Sequence, residues 1–245
     1  MDSLKKNLAP SKNLSIKVIE TLNKKTIETA INAAMENNID LFLSTNFSKT
    51  DKLPAVFKKY TKFFKGIIYQ DGYNFNIKFL SALKYVANLN YDNMAVIGND
   101  TPDLTKNEIF RSLNLLSDGK AFIGPSKDGG FYLFSITKND FNKIAEEDFV
   151  GLPFRTGRIR SSLIKLLTQN GILSVKLQEK YDVDYLNTIG NFEQFKNIIL
   201  RLLESFLLNR FKKIKCLCSD SIIVFTSLKK FKISFHKAPP VVSCF

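Results

Sequence analysis

Five aspartates carry most of the chemistry open to this 245-residue chain. Asp100 and Asp103 stand three residues apart in Asn99-Asp100-Thr101-Pro102-Asp103, directly after the apolar run Met94-Ala95-Val96-Ile97 and directly before an amphipathic segment. In open α/β sheets ligands bind in the crevice beyond the carboxyl ends of strands. Two carboxylates there could hold Mg²⁺ or Mn²⁺, hard cations that prefer oxygen and also bridge phosphates. The same residues serve equally as a turn and a helix start, where short polar side chains satisfy backbone donors. Residues 124–130 read GPSKDGG and put Asp128 in a glycine-rich turn. Such a turn lets a ligand lie against the backbone, with Asp128 as ligand or base and Lys127 facing phosphate. Asp-Gly is also the commonest two-residue hairpin signal, so a plain hairpin accounts for the loop as well. Asp182 and Asp184 flank one valine after a further apolar run. Alternation sends both carboxylates to one side, where one could complete a metal site with Asp100. A solvated loop is the competing reading.

Other chemistries find little support. The chain has no G-x-G-x-x-G, no P-loop and no nucleophile elbow. Its one histidine, His236, lies in a basic tail beside Pro239-Pro240. The three cysteines, Cys216, Cys218 and Cys244, are odd in number and confined to the last thirty residues. That pattern is neither a disulfide framework nor a zinc site. The net charge of +13 comes mainly from lysines spread along the chain. It reads as a solvated surface, compatible with attracting a nucleotide anion. No nucleic-acid recognition module is present, so nucleic acid is not the expected partner. The polar N-terminus lacks a signal-like apolar run and no segment is long and apolar enough to span a bilayer; the expected location is the cytoplasm.

The elements that must position these residues alternate between short apolar runs and helical periodicity, the pattern of α/β architecture. Helices are expected over residues 26–37, 75–88, from Thr105 to the stop at Gly119, and from Thr156 to Gly171. Thr105 and Glu108 form a T-x-x-E capping box. Strands are expected over residues 40–44, 66–69, 94–97, 121–123, 131–134 and 172–177, with a helix over 192–208. Residues 221–225 and 231–235 read as a hairpin. The segment 200–245 carries nine basic and two acidic side chains, and it is too small for a core of its own.

In order, these segments resemble the bacterial transferase family associated with radical-SAM and selenium-related genes, of the glycosyltransferase type in the GT-A superfamily. Ile97-GNDTPDLT is close to that family's IGSDCPDLT, and Gly124-PSKDGGFYL to its GPAEDGGYYL. Leu152-PFRT, Asp182-VD and Gln70-Asp71-Gly72 match three further elements over roughly residues 5–195. The resemblance implies a GT-A, Rossmann-like three-layer α/β sandwich with a mostly parallel central sheet, and the residues beyond it read as a small C-terminal β-rich extension. The implied division is a transferase domain over 1–199 and a basic extension over 200–245. The implied activity is transfer from a nucleotide-activated sugar with a divalent metal. Nucleotidyl transfer to a phosphorylated small molecule and a non-catalytic ligand-binding relative are the alternatives. Asp100, Asp182 and Asp184 would face Mg²⁺ or Mn²⁺. Asp128 would orient or deprotonate an acceptor hydroxyl, and Asp103, Lys127, Gly129, Gly130, Tyr132 and Thr156 would line the substrate site.

Two departures from the family pattern carry expectations of their own. Relatives open with a hydrophobic strand and a basic glycine-containing loop ending in a K-T-R-L-like run. Here Lys5-Lys6-Asn7-Leu8 stands at that run, with Asn7 at the arginine position and no strand before it. Gly157 stands where an acidic residue commonly follows the threonine. Either the sequence starts too late or the nucleotide pocket is short of one wall, and loss of a central strand would expose neighbouring strand edges.

Overall fold

A computed structural model describes residues 12–46, 49–50, 52–89, 91–183, 221–227 and 231–234, with residues 12–16 and the last two segments described by backbone alone. Helix α1 spans Lys12–Asn37 and is far longer than the stretch of clean apolar periodicity. Its buried stripe runs from Val18, Ile19 and Leu22 through Asn23 and Thr26 to Ile27, Ala30 and Ile31. The two polar members interrupt the hydrophobic pattern without interrupting the helix, because both find partners inside the protein. Asn38, in the left-handed region at φ 52°, ends it.

Strand β1 (Ile39–Thr45) follows, then α2 (Ala55–Lys58), β2 (Gly66–Tyr69), α3 (Phe75–Ala87) and β3 (Asn93–Ile97). Next come α4 (Lys106–Asn114), β4 (Lys120–Pro125) and β5 (Phe131–Thr137). Three helices, α5 (Lys138–Lys143), α6 (Glu146–Val150) and α7 (Ile159–Gln169), lead to β6 (Leu173–Lys176). The C-terminal hairpin supplies β7 (Ser221–Ser227) and β8 (Phe231–Ser234). The capping box at α4 forms as its spacing requires, with Thr105 accepting from the Glu108 amide and Glu108 reaching back to Thr105.

All eight strands join one sheet in the order β2-β1-β7-β8-β3-β5-β4-β6. Helices cover both faces, and period-2 alternation sorts the strand residues between them. Ile39, Leu41, Leu43, Ala95 and Ile97 face Ile27, Ile31, Phe57 and Ile109 of α1, α2 and α4. Phe42, Met94, Val96, Ile123 and Phe134 face Phe79, Leu83, Phe149 and Leu163 of α3, α6 and α7. The three-layer α/β arrangement is therefore present.

Two expectations are corrected. The sheet is mixed rather than mostly parallel: β1–β2, β3–β8 and β4–β6 are parallel, whereas β1–β7, β7–β8, β3–β5 and β4–β5 are antiparallel. Strands joined by a few residues, β4–β5 and β7–β8, must run antiparallel, and each of these pairs sets one reversed strand among the others. Nor do β1 and β3 show open inner edges. The hairpin at 221–234 lies between them, β7 pairing with β1 along its whole length and β8 pairing with Ala95 and Val96 of β3. Their ladder groups are thereby satisfied, which removes the liability an open central edge would create. The expected helix at 192–208 and the boundary at 199 lie outside the described residues, as do all three cysteines and His236.

Candidate functional site

The motif loops share one edge of the sheet. Strand β7 runs against both β1 and β3, so β1, β2 and β3 point the same way. Strand β5 runs against β3 and β4, and β4 is parallel to β6, so these two join the same direction. The loops after β2, β3, β4 and β6 thus all leave at carboxyl ends, where α/β sheets bind ligands. They contain Gln70, Asp100 and Asp103, Asp128, and Asp182.

Asp100 and Asp182 are drawn together by direct contacts between their loops. The Val183 amide donates to the Asp100 carbonyl at 2.8 Å, and the Thr101 hydroxyl donates to Oδ1 of Asp182 at 2.8 Å. Both aspartates are buried, at 3% and 6% exposure. Helix α1 supports the loop from behind. The Asn99 side-chain amide donates to Asn23 Oδ1 at 2.6 Å, and the Asn99 carbonyl accepts from Thr26. The buried Oδ1 of Asn99 has no hydrogen-bond partner among the described residues. An oxygen left without a donor in a dry site is costly unless a ligand or ion uses it.

The Asp128 loop is a preorganised turn. Oδ1 of Asp128 accepts from the Ser126 hydroxyl at 2.5 Å and from the Gly130 amide at 2.8 Å, while the residue stays exposed. Gly129 has φ 86°, and a Cβ there would lie 2.0 Å from the carbonyl oxygen of Gly157. The Arg160 amide donates to the Gly129 carbonyl at 3.1 Å. The PSKDGG turn is therefore in backbone contact with Gly157 and Arg160, which follow LPFRT. Thr156 sits in this contact region, its exposed hydroxyl donating to the Pro153 carbonyl and accepting from the Arg158 amide.

Lys180 ties the loops to one another. Its ammonium is 7% exposed and donates to the Asp103 carbonyl at 2.9 Å, with Glu108 Oε1 at 3.2 Å. Its backbone bonds Pro125 and Lys127, in an isolated bridge to the Ser126 turn. Burial raises the Asp103 carboxyl above its usual value, partly opposed by Lys180. Tyr132 is almost wholly buried, and its hydroxyl contacts Glu108 at 3.2 Å and donates to the Gln178 carbonyl at 2.8 Å. Burial, with the Glu108 charge adding to it, pushes that phenol far above its ordinary range, so it stays protonated at neutral pH. Its position is behind the loops. Lys127 is exposed and sits over the Tyr181 ring at 4.3 Å, its ammonium held above the ordinary value by the hydrogen bond to the Tyr181 hydroxyl.

The structure thus brings together Asp100, Asp103, Lys127, Asp128, Gly129, Gly130, Thr156 and Asp182 along one edge. Asp184 lies outside the described residues. Sequence reasoning did not single out Asn23, Thr26, Asn99, Ser126 or Lys180. A polar residue inside an apolar helix stripe was the one local signal for Asn23 and Thr26, and none existed for Lys180. Among the described residues no group of three or more His, Cys, Asp or Glu side chains is placed to hold a metal. Hard oxygen donors at this edge are Asp100, Asp182 and the Asn99 amide oxygen. That set fits Mg²⁺ or Mn²⁺ in the mode where one or two carboxylates act together with substrate phosphates, rather than in an all-protein cage.

A family model covers residues 21–154, more than half of the chain and all of its first two motifs. The chain belongs to the family described as "Uncharacterized protein conserved in bacteria (DUF2064)". The DUF2064 region contains Asp100, Asp103 and Asp128 and ends just before Arg155, so Thr156 and Asp182 fall beyond it. No curated protein matches the chain. A solved structure, the "putative nucleotide-diphospho-sugar transferase from Desulfovibrio desulfuricans G20", is similar at a TM-score of 0.63 and 18% identity, over 84% of this chain and 89% of that one. At that identity the likeness is one of fold alone. No helix among the described residues is long and apolar enough to cross a membrane.

Proposed function

We propose that this DUF2064 protein transfers a group from a nucleotide-activated sugar, with the diphosphate held at the Asp100–Asp182 side of the edge and the acceptor at the Asp128 side. The observation that carries the reading is the knitting of two distant loops at Asp100 and Asp182, through the Val183 amide and the Thr101 hydroxyl. Buried acidic groups at the carboxyl edge of a GT-A-like sheet fit the binding of a phosphate-bridging cation. Asp100, Asp182 and the Asn99 amide oxygen would hold Mg²⁺ or Mn²⁺, which when bound would neutralise the charge of a leaving diphosphate. Asp184 belongs to the same proposal by its place in the D-x-D pair. Asp128, exposed and fixed by Ser126 and Gly130, would orient the acceptor hydroxyl or take its proton. Lys127 would face phosphate, and Gly129, Gly130 and Thr156 would shape the acceptor wall. The likeness to the radical-SAM- and selenium-associated transferase type, a cytoplasmic location, and the division at residue 199 are parts of this reading.

The test is a thermal-shift panel of nucleoside diphosphates, triphosphates and nucleotide sugars with and without Mn²⁺. Stabilisation should need nucleotide and metal together, because the protein alone supplies too few ligands for tight metal binding. At a hundredfold excess over Kd the shift corresponds to about 2.7 kcal/mol. Asp100→Ala should abolish it. A nucleotide shift that persists unchanged in Asp100→Ala, or no shift with any nucleotide, rejects the proposal.

A further inference from the structure

The Asp128 loop has basic residues on two flanks. On one, Lys127 and Lys180 lead to Tyr181 and Asp182. On the other, Gly129 abuts Gly157, and the segment 155–160 carries three arginines. Arg160 is engaged, donating to the Ser126 carbonyl at 3.1 Å and to Glu179 at 2.8 Å. Arg155 and Arg158 are exposed, and neither forms an ion pair among the described residues. The Arg155 guanidinium lies over the ring of Phe75, 4.7 Å from its centroid. A guanidinium stacked on an aromatic ring can still offer its edge N–H groups to a planar or tetrahedral oxyanion. Arg155 also holds φ at 63°, a conformation unfavourable for any residue with a Cβ, which glycine would adopt more easily. An arginine kept at this position, stacked and without a carboxylate partner, is set up to meet an anion from outside.

We propose that Arg155 and Arg158 bind an oxyanion carried by the acceptor, a phosphomonoester or a carboxylate, on the flank of Asp128 away from Asp182. The turn in which the Ile159 amide bonds the Thr156 carbonyl at 3.2 Å has Arg155 directly before it and Arg158 within it. The Gly129–Gly157 contact fixes this turn against the Asp128 loop. A charged anchor on the acceptor away from its reacting hydroxyl would orient it by a bidentate contact remote from the bond being formed. Naming the ligand an acceptor rests on the transferase reading above, whereas the anion site itself is testable without nucleotide.

Inorganic phosphate, glycerol 3-phosphate, glycerate and glycerol are titrated calorimetrically into the full chain and into Arg155→Gly, Arg158→Gln and Arg155→Gln/Arg158→Gln. Phosphate and at least one of the two charged glycerol derivatives should bind, glycerol should not, and the pair of derivatives tells phosphomonoester from carboxylate. Each guanidinium lost should weaken phosphate about tenfold or more. Arg155→Gly separates binding from folding: it should melt no lower than the parent, because glycine relieves the left-handed φ, yet lose affinity. Asp100→Ala should bind phosphate as the parent does. Absence of phosphate binding, affinity within twofold of the parent in the double variant, or loss of phosphate binding in Asp100→Ala would each overturn the site. Phosphate binding that survives while no nucleotide binds would sink the transferase reading alone.

Discussion

Replacing Gly129 by alanine tests the contact on which the candidate site depends. A Cβ at that position would lie 2.0 Å from the Gly157 carbonyl oxygen and 2.7 Å from its carbon, both backbone atoms with no rotamer to adjust. Ordinary contacts begin near 3.4 Å, so the two loops must separate by more than 1 Å. Separation stretches the bond from the Arg160 amide to the Gly129 carbonyl, worth about 1 kcal/mol. The φ of 86° adds a left-handed penalty of roughly 1–2 kcal/mol. Together these predict a loss of about 2–3 kcal/mol, or roughly 4–12 °C in Tm for a domain of this size. Gly119→Ala is the control, since Gly119 has φ 80° and nothing within 4 Å, so it carries the φ penalty alone. Urea denaturation of the two variants isolates the steric part. If Gly129→Ala costs no more than Gly119→Ala, the motif loops are not in the contact described and the site falls with it.

Lys180→Met should destabilise by about 3 kcal/mol in the same assay, because it strips a half-buried Glu108 of its buried cation and the Asp103 carbonyl of a donor; a loss under 1 kcal/mol contradicts its role as a tie. Asp128→Asn keeps an oxygen for Ser126 and Gly130, so its Tm should match the parent while Asp128→Ala loses about 1 kcal/mol. Turnover retained in Asp128→Asn, once a substrate pair is in hand, removes Asp128 from proton transfer. The Asp103 carboxyl is raised by burial, so the folded protein binds that proton more tightly than the unfolded chain. Its ionised form therefore costs stability above the folded value, and the cost fades as pH falls toward the usual value near 3.8. Asp103→Asn should then be no less stable than the parent at pH 7, and any gain should shrink on acidification; a variant clearly less stable at pH 7 refutes the assignment.

Local signals determined most elements and the identity of the loops. The capping box at Thr105 and Glu108, the Asp-Gly-Gly turn and the apolar run at 94–97 each depend on neighbours within four or five residues, and they formed where those neighbours allow. The first half of α1 was not legible, because its stripe includes Asn23 and Thr26, whose partner Asn99 is more than seventy residues away. Lys180 read as one more surface lysine in a chain of net charge +13, since burial of a charge depends entirely on the carboxylate that meets it.

Tertiary structure alone decided the centre of the sheet. Residues 221–234 announced a hairpin through their alternation, but alternation does not say which edge a hairpin will pair with, as any open ladder offers the same donors and acceptors. It lies between β1 and β3, both of them far from it in sequence. The same holds for the site. The chain by itself determined that Asp100, Asp128 and Asp182 would follow strands. Only the common direction of β3, β4 and β6 put them on one edge, because that direction is set by which strands pair and not by any residue within them.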